Sequence, residues 1–204
     1  MAMTSVLQSY YNKDLIEAGC DEVGRGCLAG PVVAAAVILP KDYQHPDIND
    51  SKQLSAQKRA KLKEDIIRDA ISCSVAFIDN KEIDSINILK ASIKAMHKAL
   101  DQLSVEPQFV IVDGNKFYQY KDIPYKTIVK GDSLYLSIAA ASILAKVARD
   151  EYMEEMHNEY PQYGWKKNKG YGTLEHRKAI LEYGITPLHR TSFALFDTQT
   201  SFDF

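Results

Sequence analysis

Cysteine is scarce in this 204-residue sequence, and long apolar runs are missing. Three cysteines are too few, and odd in number, for a disulfide-stabilised scaffold, which points to a reducing compartment. The longest apolar stretches, 32–39 and 138–144, fall far short of the ~20 residues that cross a bilayer. The amino terminus has no basic segment followed by a long apolar one, so we expect a soluble cytoplasmic protein without a secretory signal.

An excess of positive charge is also missing. Lys and Arg total 25 against 27 Asp and Glu, a formal net charge of −2, which excludes a uniformly basic coat but leaves room for local basic patches. Apolar residues are plentiful at 46%, enough to bury a real core. We therefore expect a single domain over residues 1–204 with a short carboxyl-terminal tail.

Short apolar runs alternate with amphipathic segments along the chain, which is typical of an α/β fold with a central sheet. Strands are predicted at 18–23, 32–39, 73–78, 109–112 and 127–129. Helices are predicted from Ser55 onwards, over 86–103, from 133 towards 160, and over 174–183. The first helix is predicted to bury Leu62, Ile66, Ile67 and Ala70. A basic, aromatic loop is predicted at 163–173, and Gly184 is predicted to end the last helix.

Acidic residues stand where predicted strands end. Asp21 and Glu22 follow one apolar run, and Asp113 follows the run 109–112. An ionised carboxylate at the edge of a core costs several kcal/mol unless a cation or hydrogen bonds compensate. Converging carboxylates would form an oxygen-rich cage that suits Mg²⁺ or Mn²⁺. A pair of such ions suits phosphoryl transfer.

Each of these acids also has a plainer interpretation. Asp113 is equally consistent with a simple turn, and Asp132 stands where the N-cap of the long helix is predicted. Asp21 and Glu22 occupy neighbouring strand positions, whose side chains point to opposite faces, so both serve one site only if the strand ends or twists there. Asp150 is interpreted as a solvated or ion-paired helix position.

Seven motifs follow one another along the chain, roughly between residues 17 and 193. They are DEVGRGCLAGP at 21–31, NDSKQLS at 49–55, VDG at 112–114, KGD at 130–132, AAASILAKVARD at 139–150, KGYGT at 169–173 and LHRTSF at 188–193. In this order they resemble the bacterial type 2 ribonuclease H family, ribonuclease HII. Each motif alone is weak, whereas the set is highly specific.

The resemblance implies a ribonuclease H-like fold with a mixed five-stranded sheet flanked by helices. It implies an endonuclease, acting in DNA replication and repair, that cuts the RNA strand of RNA–DNA hybrids and incises duplex DNA 5′ to a single embedded ribonucleotide. Divalent Mn²⁺ or Mg²⁺ is the implied cofactor. The implied catalytic and metal-binding residues are Asp21, Glu22, Asp113 and Asp132. The implied substrate-binding residues are Gly24, Arg25 and Gly26 at the ribose 2′-hydroxyl and Tyr171 against the neighbouring sugar.

These implied roles suggest a two-metal mechanism. Ions bridged by Asp21 and Asp113, with Glu22 and Asp132 completing the shell, would activate a water that attacks the phosphorus in line and leaves 3′-hydroxyl and 5′-phosphate ends. Glycine lets the backbone approach a sugar closely, and the 2′-hydroxyl both donates and accepts hydrogen bonds. Before the motifs are considered, an ordinary tight turn between strands is the better interpretation of Gly24-Arg25-Gly26.

Because nucleic acid is a polyanion, the basic residues must be clustered. Lys and Arg concentrate in 51–63, which contains no acid, and in 161–190, where Tyr163, Trp165 and Tyr171 are interleaved. The run from Lys58 to Lys63 is also expected of a solvated helix face. Lys52, in a predicted loop, is the phosphate contact that we favour.

Two other functions would share these residues. A DNA resolvase or other phosphotransferase would use the carboxylates without needing a 2′-hydroxyl, and a non-catalytic module would bind hybrids without metal. Only residues 194–204 follow the last motif, whereas many family members carry a longer helical extension, so duplex affinity is expected to be weaker or to come from other surfaces. We expect a monomer. His189 lies in a motif but receives no role.

Overall fold

The computed structural model describes residues 7–48 and 55–196, and within them five strands form one sheet. The strands are β1 (Glu17–Val23), β2 (Val32–Ile38), β3 (Ser72–Ile78), β4 (Phe109–Asp113) and β5 (Tyr125–Ile128). Their order is β3-β2-β1-β4-β5, with β1, β2 and β3 antiparallel and β4 and β5 joined parallel to β1. The predicted α/β fold with a mixed five-stranded sheet is confirmed.

Helices cover both faces of the sheet. They are α1 (Ala56–Asp69), α2 (Asn80–Ile86), α3 (Ile88–Asp101), α4 (Leu136–Glu159), α5 (Trp165–Asn168) and α6 (Leu174–Tyr183). One face packs against α3, and the other packs against α4 and α1. β2 is buried along its whole length between these layers, which explains its continuous apolar sequence VVAAAVI.

A smaller third cluster lies beyond the end of the sheet, where the second half of α4 meets α5 and α6. Its core includes Met153, Tyr163, Trp165 and Ile180. The segment predicted as a basic, aromatic loop over 163–173 begins at the end of a short 3₁₀ turn, Pro161–Tyr163, and contains the helix α5. That prediction was wrong because Tyr163 and Trp165 are buried, at 2% and 0% exposure.

The predicted helix boundaries differ from the structure in two places. The helix predicted over 86–103 is interrupted at Asn87, which has a φ of 71° and whose side chain caps the N–H of Lys90. The long helix begins at Leu136 with Tyr135 as its N-cap, so the interpretation of Asp132 as that cap is wrong. Asp132 lies instead in a 3₁₀ turn, Gly131–Ser133.

The predicted ends of α1 and α6 agree with the structure, whereas one predicted core residue of α1 does not. Ser55 caps α1 by accepting the N–H of Lys58, and Gly184 ends α6 with a φ of 78°, both as predicted. Ile67 was predicted to face the core but is 53% exposed, because α1 buries only the stripe through Leu62 and Ile66. Across the two described ranges, no helix combines the length and apolar character needed to span a bilayer.

Candidate active site

The three parallel strands bring acidic residues to one edge of the sheet. Cys20 pairs with Val112 at the last β1–β4 position, so Asp21 and Asp113 are the next residues on adjacent strands. Asp132 lies in the 3₁₀ turn that follows β5, the third strand running in this direction. The carboxyl ends of parallel strands form the usual site crevice of open α/β sheets.

Asp21 is buried, at 6% exposure. Its Oδ1 accepts the backbone N–H of Glu22 at 2.7 Å, and Ser142 of α4 also hydrogen-bonds to its carboxylate. Burial raises the pKa of Asp21 well above its ordinary value, and repulsion from Glu22 and Asp113 raises it further. Ionising this carboxyl is therefore unfavourable in the folded protein, and a nearby cation would stabilise the ionised form.

Glu22 is the next residue on β1, so its side chain starts from the opposite face of the strand. Its Oε1 accepts a hydrogen bond from Nη1 of Arg25 at 3.0 Å. Burial raises the pKa of Glu22, Arg25 partly offsets that rise, and repulsion from Asp113 adds to it. Although its side chain starts from the opposite face of the strand, Glu22 still interacts electrostatically with Asp21 and Asp113.

Asp113 and Asp132 are joined through the turn between them. Oδ1 of Asp113 accepts the backbone N–H of Gly131 at 2.7 Å, and Asp132 follows directly, buried at 4% exposure. The preceding Lys130 adopts a left-handed φ of 58°, a strained conformation for a residue with a Cβ. The backbone thus holds the acid of β4 against the turn that carries Asp132.

The donor set fits a hard divalent cation, although the acids are not arranged around one. Over the described part of the chain, no three His, Cys, Asp or Glu side chains are grouped as metal ligands. The carboxylates instead accept bonds from protein donors, namely the N–H groups of Glu22 and Gly131 and the side chain of Arg25. Carboxylate oxygens that are buried and repel one another are the ligands that Mg²⁺ and Mn²⁺ prefer.

The predicted glycine turn lies directly after β1. Gly24 is buried with a φ of 93°, and a Cβ there would lie 2.2 Å from Nε of Arg149, so only glycine fits. Arg25 and Gly26 are exposed, and no atom lies within 4 Å of the position of a Cβ on Gly26. The turn therefore presents open backbone next to the acids.

Tyr171 lies beside this turn. Cys27 forms an isolated antiparallel bridge with Tyr171, and the N–H of Leu28 donates to the carbonyl of Gly170 at 2.8 Å. The Tyr171 ring is 40% exposed and has the Arg149 guanidinium 5.9 Å from its centroid. The structure therefore places Tyr171 beside the turn Gly24-Arg25-Gly26, although the two lie far apart in sequence.

Many of the clustered basic residues pair with acids or share a groove with them. Lys52 lies outside the described residues, so its predicted phosphate contact stays a prediction. Lys58 pairs with Asp47 and Lys63 with Glu151, as expected of a solvated helix face. A groove of about 380 Å³ between α1, α4 and α5 collects further cations together with three acids. Its charged residues are Arg59, Lys146, Lys167, Lys169, Asp150, Glu151 and Glu154.

Sequence reasoning missed two arginines that support the turn. Arg149 and Arg190 are both fully buried, and their guanidinium groups donate to backbone carbonyls. Arg149 bonds the carbonyls of Ala29, Pro31 and Lys169. Both arginines lie in the quoted motifs, but nothing in their local pattern distinguishes a buried arginine from an exposed one.

The sequence is similar to known proteins of one family. Residues 18–196 match the family model described as Ribonuclease HII. The protein named Ribonuclease HII from Bacteroides thetaiotaomicron is 58% identical over 200 residues, covering 98% of this chain and 100% of that protein. The Ribonuclease HII of Porphyromonas gingivalis is 50% identical over 188 residues, covering 92% of this chain and 94% of that protein.

Solved structures agree with the fold. The ribonuclease H2 of Pyrococcus horikoshii OT3 superposes with a TM-score of 0.76 at 26% identity, over 88% of this chain and 94% of that chain. Bst-RNase HIII, solved in complex with Mn²⁺, superposes with a TM-score of 0.68 at 22% identity, over 88% of this chain and 67% of that chain. The second similarity shows a shared fold.

Proposed function

Because the chain belongs to the ribonuclease HII family, we propose that this ribonuclease H both hydrolyses the RNA strand of RNA–DNA hybrids and incises duplex DNA 5′ to a single embedded ribonucleotide. The observation that carries the proposal is that Asp21 and Asp113 directly follow the last paired residues of adjacent parallel strands, with Asp132 in the turn after the third and an open glycine turn beside them. We further propose that the chain is one catalytic domain that acts as a monomer.

The proposed catalytic and metal-binding residues are Asp21, Glu22, Asp113 and Asp132. Two bound divalent ions, Mn²⁺ or Mg²⁺, would supply an activated water and stabilise the leaving oxygen of an in-line displacement that gives 3′-hydroxyl and 5′-phosphate ends. The chain's own contribution is orientation. Ser142 and the N–H of Glu22 hold Asp21, and the N–H of Gly131 holds Asp113.

The glycine turn and Tyr171 are the proposed ribose-reading elements. The open space at Gly26 lets a sugar approach the backbone, where N–H and C=O groups can bond a 2′-hydroxyl as donor and acceptor. The exposed ring of Tyr171 offers an apolar surface for the neighbouring sugar. An all-DNA duplex lacks the hydroxyl and would leave those backbone groups without a partner.

Phosphate contacts are proposed for the groove between α1, α4 and α5. Lys167 is exposed there and Lys146 and Lys169 line the same groove, next to the motif that carries Tyr171. Such residues position a duplex without reading its sequence. Because Asp150 and Glu154 pair with Lys146 and Lys169, the groove is only moderately basic, and the affinity for duplex is expected to depend on other surfaces too.

The test is incubation with an end-labelled DNA duplex that carries one ribonucleotide, with Mg²⁺, Mn²⁺ or EDTA, alongside an all-DNA duplex of the same sequence. We expect one cut, directly 5′ to the ribonucleotide, that is abolished by the chelator. Equal cutting of the all-DNA duplex would indicate a resolvase-type nuclease. Binding without cutting in either metal would indicate a non-catalytic module.

A further inference from the structure

The segment 186–193 contacts the strip of backbone that links the two ribose-reading elements. The N–H of Arg190 donates to the carbonyl of Leu28 at 2.8 Å, and the N–H of Gly30 donates to Leu188 at 2.9 Å. Ala29 and His189 form an antiparallel bridge. Residues 27–30, which follow the glycine turn and bond to Gly170 and Tyr171, are therefore fastened to this segment as well.

Arg190 reaches from this segment into the glycine turn. Its guanidinium is fully buried, and Nη1 donates to the carbonyl of Arg25 at 2.9 Å while Nε donates to the carbonyl of Gly30 at 3.0 Å. One rigid planar group thus joins Arg25, in the middle of the glycine turn, to Gly30, four residues beyond the end of that turn, while its Nη2 is buried without a hydrogen-bond partner among the described residues. Lysine carries the same charge but a single ammonium, which cannot reproduce this fork.

His189 reaches the other element through a second histidine. Nδ1 of His189 accepts the N–H of Thr186 at 2.9 Å, so its proton lies on Nε2, which faces Nε2 of His176 at 3.2 Å. Nδ1 of His176 lies 2.9 Å from the carbonyl oxygen of Tyr171 and must donate to it. The single lone pair on Nε2 of His176 is then shared by two donors, Nε2 of His189 and Nε1 of Trp165, the latter at 3.0 Å. Both rings are neutral in this arrangement.

We propose that His189 and Arg190 are positioning residues that set the glycine turn against Tyr171 and thereby determine the preference for a ribose, an inference that rests on the proposed function. Neither side chain can touch substrate, because their exposures are 1% and 0%. His189 acts through His176 on the carbonyl of Tyr171. Arg190 bonds directly to the carbonyl of Arg25. This gives His189 the role that its sequence motif alone did not provide.

The same segment has a second anchor that serves as a matched control. Asp84 of α2 accepts four hydrogen bonds from the backbone and hydroxyl groups of Thr191 and Ser192. None of these bonds reaches the glycine turn or Tyr171. Asp84→Asn keeps an oxygen that can accept from Thr191 or Ser192 and leaves His189 and Arg190 intact, so it should leave the two ribose-reading elements unchanged.

The test measures the dissociation constants for a single-ribonucleotide duplex and for the matching all-DNA duplex, both in EDTA so that neither is cut. The ratio of the two constants does not depend on the fraction of active protein. We expect Arg190→Lys and His189→Leu to lower this preference for ribose by about five- to tenfold while all-DNA binding stays unchanged, since each loses hydrogen bonds that hold the site. His189→Gln, whose amide can donate to His176, should recover part of the preference, and Asp84→Asn should keep it.

Several results would overturn the inference. One is an unchanged ratio of dissociation constants in Arg190→Lys and His189→Leu. Another is an equal loss of affinity for both duplexes in these variants. A third is a wild-type enzyme that cuts at the ribonucleotide yet binds both duplexes equally. If His189→Leu does not fold, Arg190→Lys and His189→Gln decide the outcome. A wild-type protein that neither cuts nor prefers the ribonucleotide would instead refute the proposed function itself.

Discussion

Two buried polar regions lie side by side in this molecule and are stabilised in opposite ways. The acidic edge, formed by Asp21, Glu22, Asp113 and Asp132, combines burial with like charge, so the pKa values of Asp21 and Glu22 are raised. In the support cluster, formed by Arg149, Arg190, His176 and His189, the side chains bond to backbone groups or to one another, although Nη2 of Arg190 is buried without a hydrogen-bond partner among the described residues. Hydrogen bonds within the protein therefore satisfy most polar atoms of the second region, whereas the acids of the first region repel one another.

This difference separates reacting groups from supporting ones. A buried polar group with good partners stabilises the fold that surrounds it, whereas buried charges that repel one another are tolerated only where something else repays them. The acidic edge therefore marks where a ligand of opposite charge belongs. The support cluster marks what must stay rigid while that ligand and a substrate bind.

Replacing Asp113 by Asn should break the acidic edge most completely. The amide is the same size and its oxygen can still accept the Gly131 N–H, so the fold should persist while a charged ligand is lost. We expect turnover on the single-ribonucleotide duplex to fall by about a hundredfold or more. The free energy of unfolding should stay equal or rise slightly, because repulsion of Asp21 and Glu22 is relieved.

Asp101→Asn is the matched control for that substitution. Asp101 lies at the end of α3 and accepts the hydroxyl of Tyr120 at 2.8 Å, away from the acidic edge. Steady-state cleavage and urea unfolding are measured for both variants. A near wild-type rate for Asp113→Asn in Mn²⁺ would show that this acid is not a catalytic residue.

The two glycines of the turn should respond unequally to alanine. Gly24→Ala needs a positive φ and drives a Cβ against Arg149, so it should lower the free energy of unfolding by about 2–4 kcal/mol. Gly26→Ala meets no atom and should change it by less than about 0.5 kcal/mol. Denaturant unfolding gives both values. Gly26→Ala should still weaken binding of the ribonucleotide duplex, and normal binding and cleavage by this variant would show that the turn does not approach a sugar.

The fold was predictable because its elements are encoded locally. Alternating apolar runs and amphipathic stretches predicted all five strands and the main helices, whereas the roles that the motifs assign to the four acids stay predictions. The break at Asn87 was not predictable, because a single left-handed residue leaves the apolar spacing on both sides intact. Asp132 was ambiguous for a similar reason, since a helix cap and a strand-end acid look alike in sequence.

Burial of the support cluster could not be predicted for a different reason. The buried guanidinium of Arg149 donates to the carbonyls of Ala29, Pro31 and Lys169. The buried ring of Trp165 contacts the rings of His176 and His189. These partners are distant in sequence, and only the tertiary fold brings them together. Basic and aromatic residues among glycines are more often exposed, which is why 163–173 was predicted as a loop. Lys52 lies outside the described residues, so its contact with phosphate stays a prediction.

Adding Mn²⁺ should stabilise the acidic edge and leave the support cluster unaffected. A ligand that binds only the folded state at a hundred times its dissociation constant adds about 2.7 kcal/mol to the free energy of unfolding. We expect a gain of that size in the wild type, its reversal by EDTA, and a much smaller gain in Asp21→Asn. Asp101→Asn should gain as much as the wild type. An equal gain in Asp21→Asn, measured by thermal unfolding, would place the cation elsewhere.

Lowering the pH should weaken the support cluster instead. Burial, followed by repulsion from His176, lowers the pKa of His189 to about 4 from an ordinary 6.5, so the unfolded chain takes up the proton first. Stability contributed by neutral His189 is therefore complete above pH 6.5 and is lost as the pH falls towards 4, by roughly 3 kcal/mol. The raised pKa values of Asp21 and Glu22 act in the opposite sense, so the wild type must be compared with His189→Gln. Fluorescence of Trp165, the sole tryptophan, reports unfolding at the cluster itself. The stability advantage of the wild type over His189→Gln should shrink across this interval, and parallel pH curves would mean that His189 is not held neutral by its neighbours.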